Sequence, residues 1–168
     1  MKEIDLTSPT GAIFSDDWQH RYILWRLWSQ SRPLMGQVGL NPSTANSTHN
    51  DPTIKRSMVR AKYAGYGGLV MVNLYSFVST DPKQLLENDN SLDKMTDLYI
   101  SAMVHLTAIQ LCMWGSFKAA KLRADKVYGL LESPYCLDLN KDGEPKHSLY
   151  VAYDVEMKEY KREIKPDE

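Results

Sequence analysis

Hydrophobic positions along this chain change their period several times, and each change marks an element. Gly11-Ala12-Ile13-Phe14, a polar turn at Ser15-Asp16-Asp17 and the run Arg21 to Trp28 predict a β-hairpin. In that second run Tyr22, Leu24, Arg26 and Trp28 alternate with Ile23, Trp25 and Leu27, and its aromatic content favours a strand. Ser31-Arg32-Pro33 ends it. The apolar run Leu34 to Gly39 predicts a further strand, followed by a polar loop. Asp51-Pro52 then reads as a helix start, with Asp51 as N-cap and Pro52 at the first helical position. Ile54, Met58 and Ala61 share one face of that helix, which stops near Gly65 and Gly67-Gly68. Leu69 to Tyr75 is continuously apolar, as in a strand buried on both faces.

After Asp81-Pro82, a helix is expected from about Ser91 to Leu106. Leu92, Met95, Leu98, Tyr99, Ala102, Met103 and Leu106 follow its 3.6-residue period. Ile109 to Trp114 predicts a third buried strand ending at Gly115-Ser116, where Ser116 is expected to cap a helix over Phe117 to Leu131. Tyr135 to Ala152 mixes short extended pieces with a turn at Lys141-Asp142-Gly143. From Glu156 the chain is charged and is expected to fray. Strands alternating with helices imply an α/β fold: a three-layer αβα arrangement with a central, mostly parallel sheet, plus the N-terminal hairpin. Residues 1–155 then form one domain and 156–168 a charged tail.

Composition narrows the function classes. The 168 residues, 43% hydrophobic and 24% charged, suit a single globular domain. Ile100 to Trp114 is the most apolar stretch, but His105 and Gln110 interrupt it and it is too short to span a bilayer. The first residues lack the basic-then-apolar plan of a signal peptide, so no membrane partner and a cytoplasmic location are expected. Cys112 and Cys136, the only two cysteines, cannot build a four-cysteine site, and the four histidines show no HxxxH or HExxH spacing. No metal and no cofactor is expected, and Cys112 reads as a small core residue. A net charge of −1 does not advertise nucleic-acid binding. The clusters Lys55, Arg56, Arg60, Lys62 and Lys118, Lys121, Arg123, Lys126 read as solvated helix faces, with Arg56 and Arg60 as candidate phosphate contacts.

Chemistry gathers at strand ends. Gly39-Leu40-Asn41-Pro42-Ser43 delivers an amide into a turn that Pro42 stiffens, at the edge of the sheet where α/β proteins place ligands. The alternative is a plain Asn-Pro turn. Asn73 is an amide amid buried residues and costs about 1–3 kcal/mol if its hydrogen bonds are unmade. An amide offers a donor and an acceptor together, which suits the edge of a pyrimidine ring, although neighbouring backbone can satisfy it equally. Trp114-Gly115-Ser116 ends a third strand, and Pro145-Lys146-His147-Ser148-Leu149-Tyr150 supplies a late histidine.

In this order, Gly39-Leu40-Asn41-Pro42, Asn73 after an apolar strand, Leu111 to Phe117 and His147 resemble the motifs of the uracil-DNA glycosylase superfamily. The Asn at the first motif resembles the mismatch-specific branch; Trp114-Gly115-Ser116-Phe117 with Asn73 resembles the classical uracil branch. The chain from Phe14 to about Tyr150 also resembles a bacterial and phage family known as a domain of unknown function. Its pattern runs Asn-Pro-Ser-Thr-Ala, Asp-Pro-Thr, Asn-Leu-Tyr, Thr-Asp-Pro and Gly-x-Pro-x-His-x-Leu-Tyr.

The glycosylase resemblance implies cleavage of the N-glycosidic bond of a damaged or modified pyrimidine. Asn41 would orient water and His147 would donate to the departing base, as the two catalytic residues. Gly39, Pro42, Ser43, Asn73, Tyr75, Trp114 and Ser116 would form the base pocket. Arg56, Arg60, Lys146, Leu149 and Tyr150 would contact DNA or a nucleotide, with Leu149 or Tyr150 as a wedge. A bulky Tyr follows the first motif in classical uracil enzymes, whereas Ser43 stands here, which implies room for a 5-substituted base. The stacking aromatic is left open among Tyr63, His49 and Tyr75. Two other readings stay open: a binding module that keeps the fold without hydrolysis, and a hydrolase of free nucleotides.

Overall fold

The computed structural model describes residues 1–87 and 93–164. Seven strands form one sheet in the order β1-β2-β4-β3-β5-β6-β7. They are β1 (Thr10–Phe14), β2 (Arg21–Leu27), β3 (Leu34–Gly39), β4 (Gly68–Asn73), β5 (Ile109–Cys112), β6 (Pro134–Cys136) and β7 (Lys158–Glu159). Three α-helices, α1 (Pro52–Tyr63), α2 (Asp93–Leu106) and α3 (Lys118–Tyr128), connect the central strands. Single 3-10 turns cover Pro82–Leu86 and Ser148–Tyr150. Ser91 and Leu92, assigned by the sequence to the start of the second helix, lie outside the described residues.

The sheet is mixed, not mostly parallel. β4, β3, β5 and β6 run parallel to one another, whereas β1, β2 and β7 pair antiparallel. The N-terminal hairpin is part of the sheet itself, because β2 pairs along β4 from Leu24–Met71 to Leu27–Gly68. Strand residues alternate between two cores. Ile54 and Ala61 of α1 join Met35, Leu69, Met71 and Leu111 in one. Tyr99, Ile100 and Met103 of α2 and Ala119, Ala120, Ala124 and Val127 of α3 join Val38, Val70, Val72 and Cys112 in the other. This division follows from crossover handedness: β3 to β4 steps one way along the sheet, and β4 to β5 to β6 steps the other.

Local chemistry explains the element ends. Asp51 Oδ1 accepts from the Ile54 amide at 2.9 Å, capping α1 ahead of Pro52. At α3 the sequence reading needs correction. Ser116 does not cap it; its hydroxyl donates to Asp142 Oδ1 at 2.9 Å, and Phe117 occupies the cap position without a side-chain bond. The helix stops at Tyr128 rather than Leu131, with Gly129 as its C-cap. Leu98, expected on the buried face of α2, is 53% exposed, because the stripe that meets the sheet centres on Tyr99, Ile100 and Met103.

Two stretches read as solvated are structural. The tail is packed as far as Arg162 rather than fraying from Glu156: β7 extends the sheet, and Tyr160 sits edge-on to Trp114 and Tyr128 at centroid distances of 5.9 and 5.6 Å. Arg162 then bonds Asp125 and Glu144, so the charge is paired rather than hydrated. Arg56 and Arg60, read as phosphate contacts, instead face inward. Arg56 Nε donates to the Ser148 carbonyl at 2.8 Å, and Arg60 Nη2 donates to the Val151 and Ala152 carbonyls at 3.1 and 2.9 Å. Arg123, also placed on a solvated face, is 4% exposed, donates to the Leu74 carbonyl and pairs with Asp97 of α2. No helix among the described residues is long and apolar enough to cross a membrane.

Replacing Arg60 by Met keeps the aliphatic stem and strips the donors from buried carbonyls. Urea denaturation is expected to show a loss of about 2–3 kcal/mol, whereas Lys62→Met on the exposed face is expected to change stability by less than about 0.5 kcal/mol.

Candidate functional site

A cavity of about 620 Å³ opens beyond the carboxyl ends of β3, β4 and β5. The chain steps from β3 to β4 on one side and to β5 on the other, so loops diverge and leave a crevice there. Gly39, Asn41 and Ser43 line it from the β3 end, Asn73 from β4, and Trp114 and Ser116 from β5. Lys146, His147, Leu149 and Tyr150 close it from the late segment. Of the sequence-derived site residues, Pro42, Tyr75, Arg56 and Arg60 do not line it. Tyr75 is buried, and its hydroxyl donates to the Ala119 carbonyl at 2.9 Å. Pro42 shapes the turn, its carbonyl accepting from the Ser79 amide at 3.0 Å.

Asn73 is 3% exposed, yet its side-chain amide makes no hydrogen bond to the described protein and faces this cavity. Its backbone is fixed from three directions. The parallel register sets it opposite Gly39, and the Leu74 amide donates to the Gly39 carbonyl at 2.9 Å. Arg123 of α3 holds the Leu74 carbonyl. Gly39 is required for this pose, because a Cβ there would lie 2.7 Å from Asn73 Oδ1 and 3.0 Å from Met71 Cε. The result is a rigid, desolvated donor–acceptor pair with no partner of its own.

Asn41 is oriented by its loop. Its Nδ2 donates to the Ser79 carbonyl at 2.8 Å and the Pro42 carbonyl at 3.0 Å. Carbonyls need the NH₂ end, so Oδ1 is the end left for a ligand or a water. His147 is likewise set by backbone: its Nδ1 accepts from the Leu149 amide at 3.2 Å, which puts the ring proton on Nε2. Burial lowers the His147 pKa, against an opposing pull from the Asp51 carboxylate. At neutral pH it is therefore a neutral N–H donor.

Trp114 contributes apolar wall and anchorage. It is 1% exposed, and its indole N–H donates to Glu144 Oε2 at 2.7 Å. Gly115 adopts φ 74°, a conformation only glycine takes cheaply, and its amide donates to the Pro145 carbonyl, joining β5 to the His147 segment. None of the three stacking candidates lines the cavity: Tyr63 and His49 are exposed away from it and Tyr75 is core. Phe117 and Tyr150, 53% and 84% exposed, are the aromatics at its mouth.

Sequence reasoning missed two charged residues here. Arg21 begins β2 within an apolar run and is 2% exposed; its Nη1 donates to the Ala45 carbonyl at 2.9 Å while Nε has no partner. Burial lowers its pKa to about 10, so it stays charged at neutral pH. Asp51, read only as a cap, also faces the cavity while 7% exposed. The cavity is thus lined by Arg21, by Lys146 (itself paired with Asp138), by the Asp51 carboxylate, by the amides of Asn41, Asn73 and Asn140, and by a neutral imidazole. That set can bind and orient a neutral polar ring and donate a hydrogen bond to it. Among the described residues, no group of three or more His, Cys, Asp or Glu side chains could hold a metal ion.

An α/β protein with a polar, ligand-sized crevice at its strand ends is the class this geometry defines. The chain belongs to the family described as protein of unknown function (DUF1643), whose model matches residues 21–149. That span runs from Arg21 to Leu149 and takes in every cavity residue described above except Tyr150. No curated protein and no solved structure matches the chain.

Two measurements check this geometry. Gly39→Ala is expected to push the Asn73 amide aside, shifting its side-chain NH₂ resonances and costing about 1–3 kcal/mol. Unchanged resonances would place Asn73 elsewhere. His147 and His20 both have pKa values lowered below the usual 6.5, chiefly by burial. The unfolded chain therefore binds protons first, so their stabilisation is complete above about pH 6.5 and is lost as pH falls toward the folded values. The melting temperature is expected to drop between pH 7.5 and 5.5, and to drop less in a His20→Gln/His147→Gln double variant.

Proposed function

We propose that this protein binds an unstacked pyrimidine base in the strand-end cavity and hydrolyses its N-glycosidic bond. One observation carries the reading: Asn73 presents a buried amide, both ends unbonded among the described residues, to a cavity that also holds a fixed imidazole donor. A buried amide left without partners costs about 1–3 kcal/mol, which a base edge recovers by supplying the matching acceptor and donor. The order of motifs, resembling the uracil-DNA glycosylase superfamily, supports the same assignment, as do the parallel strands β4, β3, β5 and β6 with helices packing into both cores.

In this mechanism the C1′–N bond breaks and its electron pair leaves with the base. His147 Nε2–H donates to the oxygen on which that negative charge develops. Asn41 Oδ1 accepts from the attacking water, whose oxygen bonds to C1′. The amide does not remove the water's proton; as the C1′–O bond forms, that proton passes to the departed base anion, so chemistry relies on the departing base and on positioning. The base reaches the cavity only when flipped out or already single-stranded. Leu149 and Tyr150 at the mouth are placed to fill the gap, and Phe117 to stack. Phosphate contact does not rest on Arg56 or Arg60, whose donors hold backbone carbonyls.

A second reading, base binding without hydrolysis, is favoured by one observation: position 41 is an amide whose NH₂ is fully committed to its loop. Oligonucleotides carrying uracil, a thymine mismatch or 5-hydroxymethyluracil, treated with protein and then alkali, separate the two. Strand breaks at the modified site are expected, falling about 10²–10³-fold in His147→Ala and Asn73→Ala. Binding to the same oligonucleotides without breaks selects the second reading. Neither binding nor breaks overturns both.

A further inference from the structure

Arg21 and Asp51 are the two buried charges of the cavity, and neither is used in the reading above. Arg21 comes from the start of β2, and Asp51 from the cap of α1. Their charges interact, yet they form no ion pair and their charged atoms stand more than 4.0 Å apart. Each is only partly satisfied. Among the described residues the guanidinium makes one hydrogen bond, from Nη1 to the Ala45 carbonyl, and the carboxylate accepts one, through Oδ1 from the Ile54 amide. Nε is buried out of a ligand's reach, but Arg21 Nη2 remains as a donor and Asp51 Oδ2 as an acceptor, both residues lining one cavity.

The chemistry of that gap is specific. A buried guanidinium kept charged with unused N–H groups is costly, and so is a buried carboxylate with a bare oxygen. An anionic ligand group would satisfy the arginine and be repelled by the aspartate; an ammonium would do the reverse. A neutral group with lone pairs and a proton satisfies both at once, and the smallest such group is a hydroxyl. Ser43 leaves its side of the cavity with a small side chain, and the volume of about 620 Å³ is in the range of pockets that hold molecules larger than a bare ring.

We propose that Arg21 and Asp51 form a hydroxyl-recognition subsite, so that the preferred ligand is a pyrimidine carrying a hydroxyl beyond the ring edge read by Asn73. This rests on the base-binding reading of the cavity and adds its substrate class. The hydroxyl has two possible sources, a 5-hydroxymethyl substituent on the base or the sugar of a nucleoside.

Calorimetry with the full chain tests the subsite without requiring turnover. The probes are uracil, thymine, 5-hydroxymethyluracil, deoxyuridine and uridine. Thymine is 5-hydroxymethyluracil without the oxygen, and deoxyuridine is uridine without its 2′-hydroxyl. A preference of about tenfold or more is expected within one of these pairs, and the pair that shows it names the source. Asp51→Asn keeps an amide oxygen to cap α1, so the fold stays intact, and the preference should shrink to about threefold or less. Arg21→Met should shrink it likewise, and circular dichroism checks that variant's fold. Equal affinities within both pairs, or a preference that survives Asp51→Asn, would overturn the subsite and leave base reading by Asn73 standing. Failure of every probe to bind would overturn the base-binding reading as well.

Discussion

Backbone that lines a cavity cannot satisfy its carbonyls through a strand ladder, and this chain solves that problem with buried guanidinium groups. Arg21 holds the Ala45 carbonyl, and Arg26 holds those of Asn46 and His49, pinning the loop between β3 and α1. Arg56 and Arg60 hold carbonyls from Ser148 to Ala152, pinning the His147 segment against α1. Arg123 holds Leu74, just past Asn73. A planar fork of five donors can serve several carbonyls at once, which a lysine cannot. Remove these clamps and the three loops that define the cavity lose their fixed relation to the sheet.

This use of arginine explains what the sequence concealed. The guanidinium chemistry that suits a phosphate also suits a row of carbonyls, so Arg56 and Arg60 at helical spacing read equally as a nucleic-acid contact or a solvated face. Only the fold shows that residues 148–155 lie across α1. Arg21 was hidden differently: in Arg21-Tyr22-Ile23-Leu24 it looks like the polar start of a strand, and its burial depends on the loop folding back over it. Local signals were read well where the physics is local. The β3 strand, the Asp51-Pro52 helix start and the buried β4 run come straight from capping and hydrophobic pattern. Ser116, Leu98 and the tail went wrong because each depends on a partner distant in sequence: Asp142, the position of the sheet, and the Glu144–Asp125 pair that receives Arg162.

The strand-end residues Gly39, Asn41, Asn73 and Trp114 are legible because topology fixes where strand ends go, whereas His147 reaches the same crevice from the segment after β6. Parallel strands whose order reverses beside β3 bring those ends to one crevice whatever the side chains are. The register then does finer work: opposing Gly39 to Asn73 makes the glycine a spacer for the amide. The sequence showed both residues but not their pairing, since register depends on both strands together.

The distribution of unsatisfied groups separates scaffold from site. Around the cavity the loop carbonyls are bonded, by arginine or by Asn41, at the expense of those side chains' own freedom. Inside the cavity the pattern reverses: Asn73, Arg21, Asp51 and the Nε2 of His147 keep bonding capacity with no partner among the described residues. Not every unpartnered atom belongs there, for Gln37, Ser57 and Ser148 are also buried without bonds and do not line the cavity. What distinguishes the cavity set is that rigid backbone holds its members around a shared space and its charges nearly cancel. A site so balanced gains little from a bare anion or cation. It gains most from a neutral molecule rich in paired donors and acceptors, the hydrogen-bonding character of a nucleobase and its hydroxyl groups.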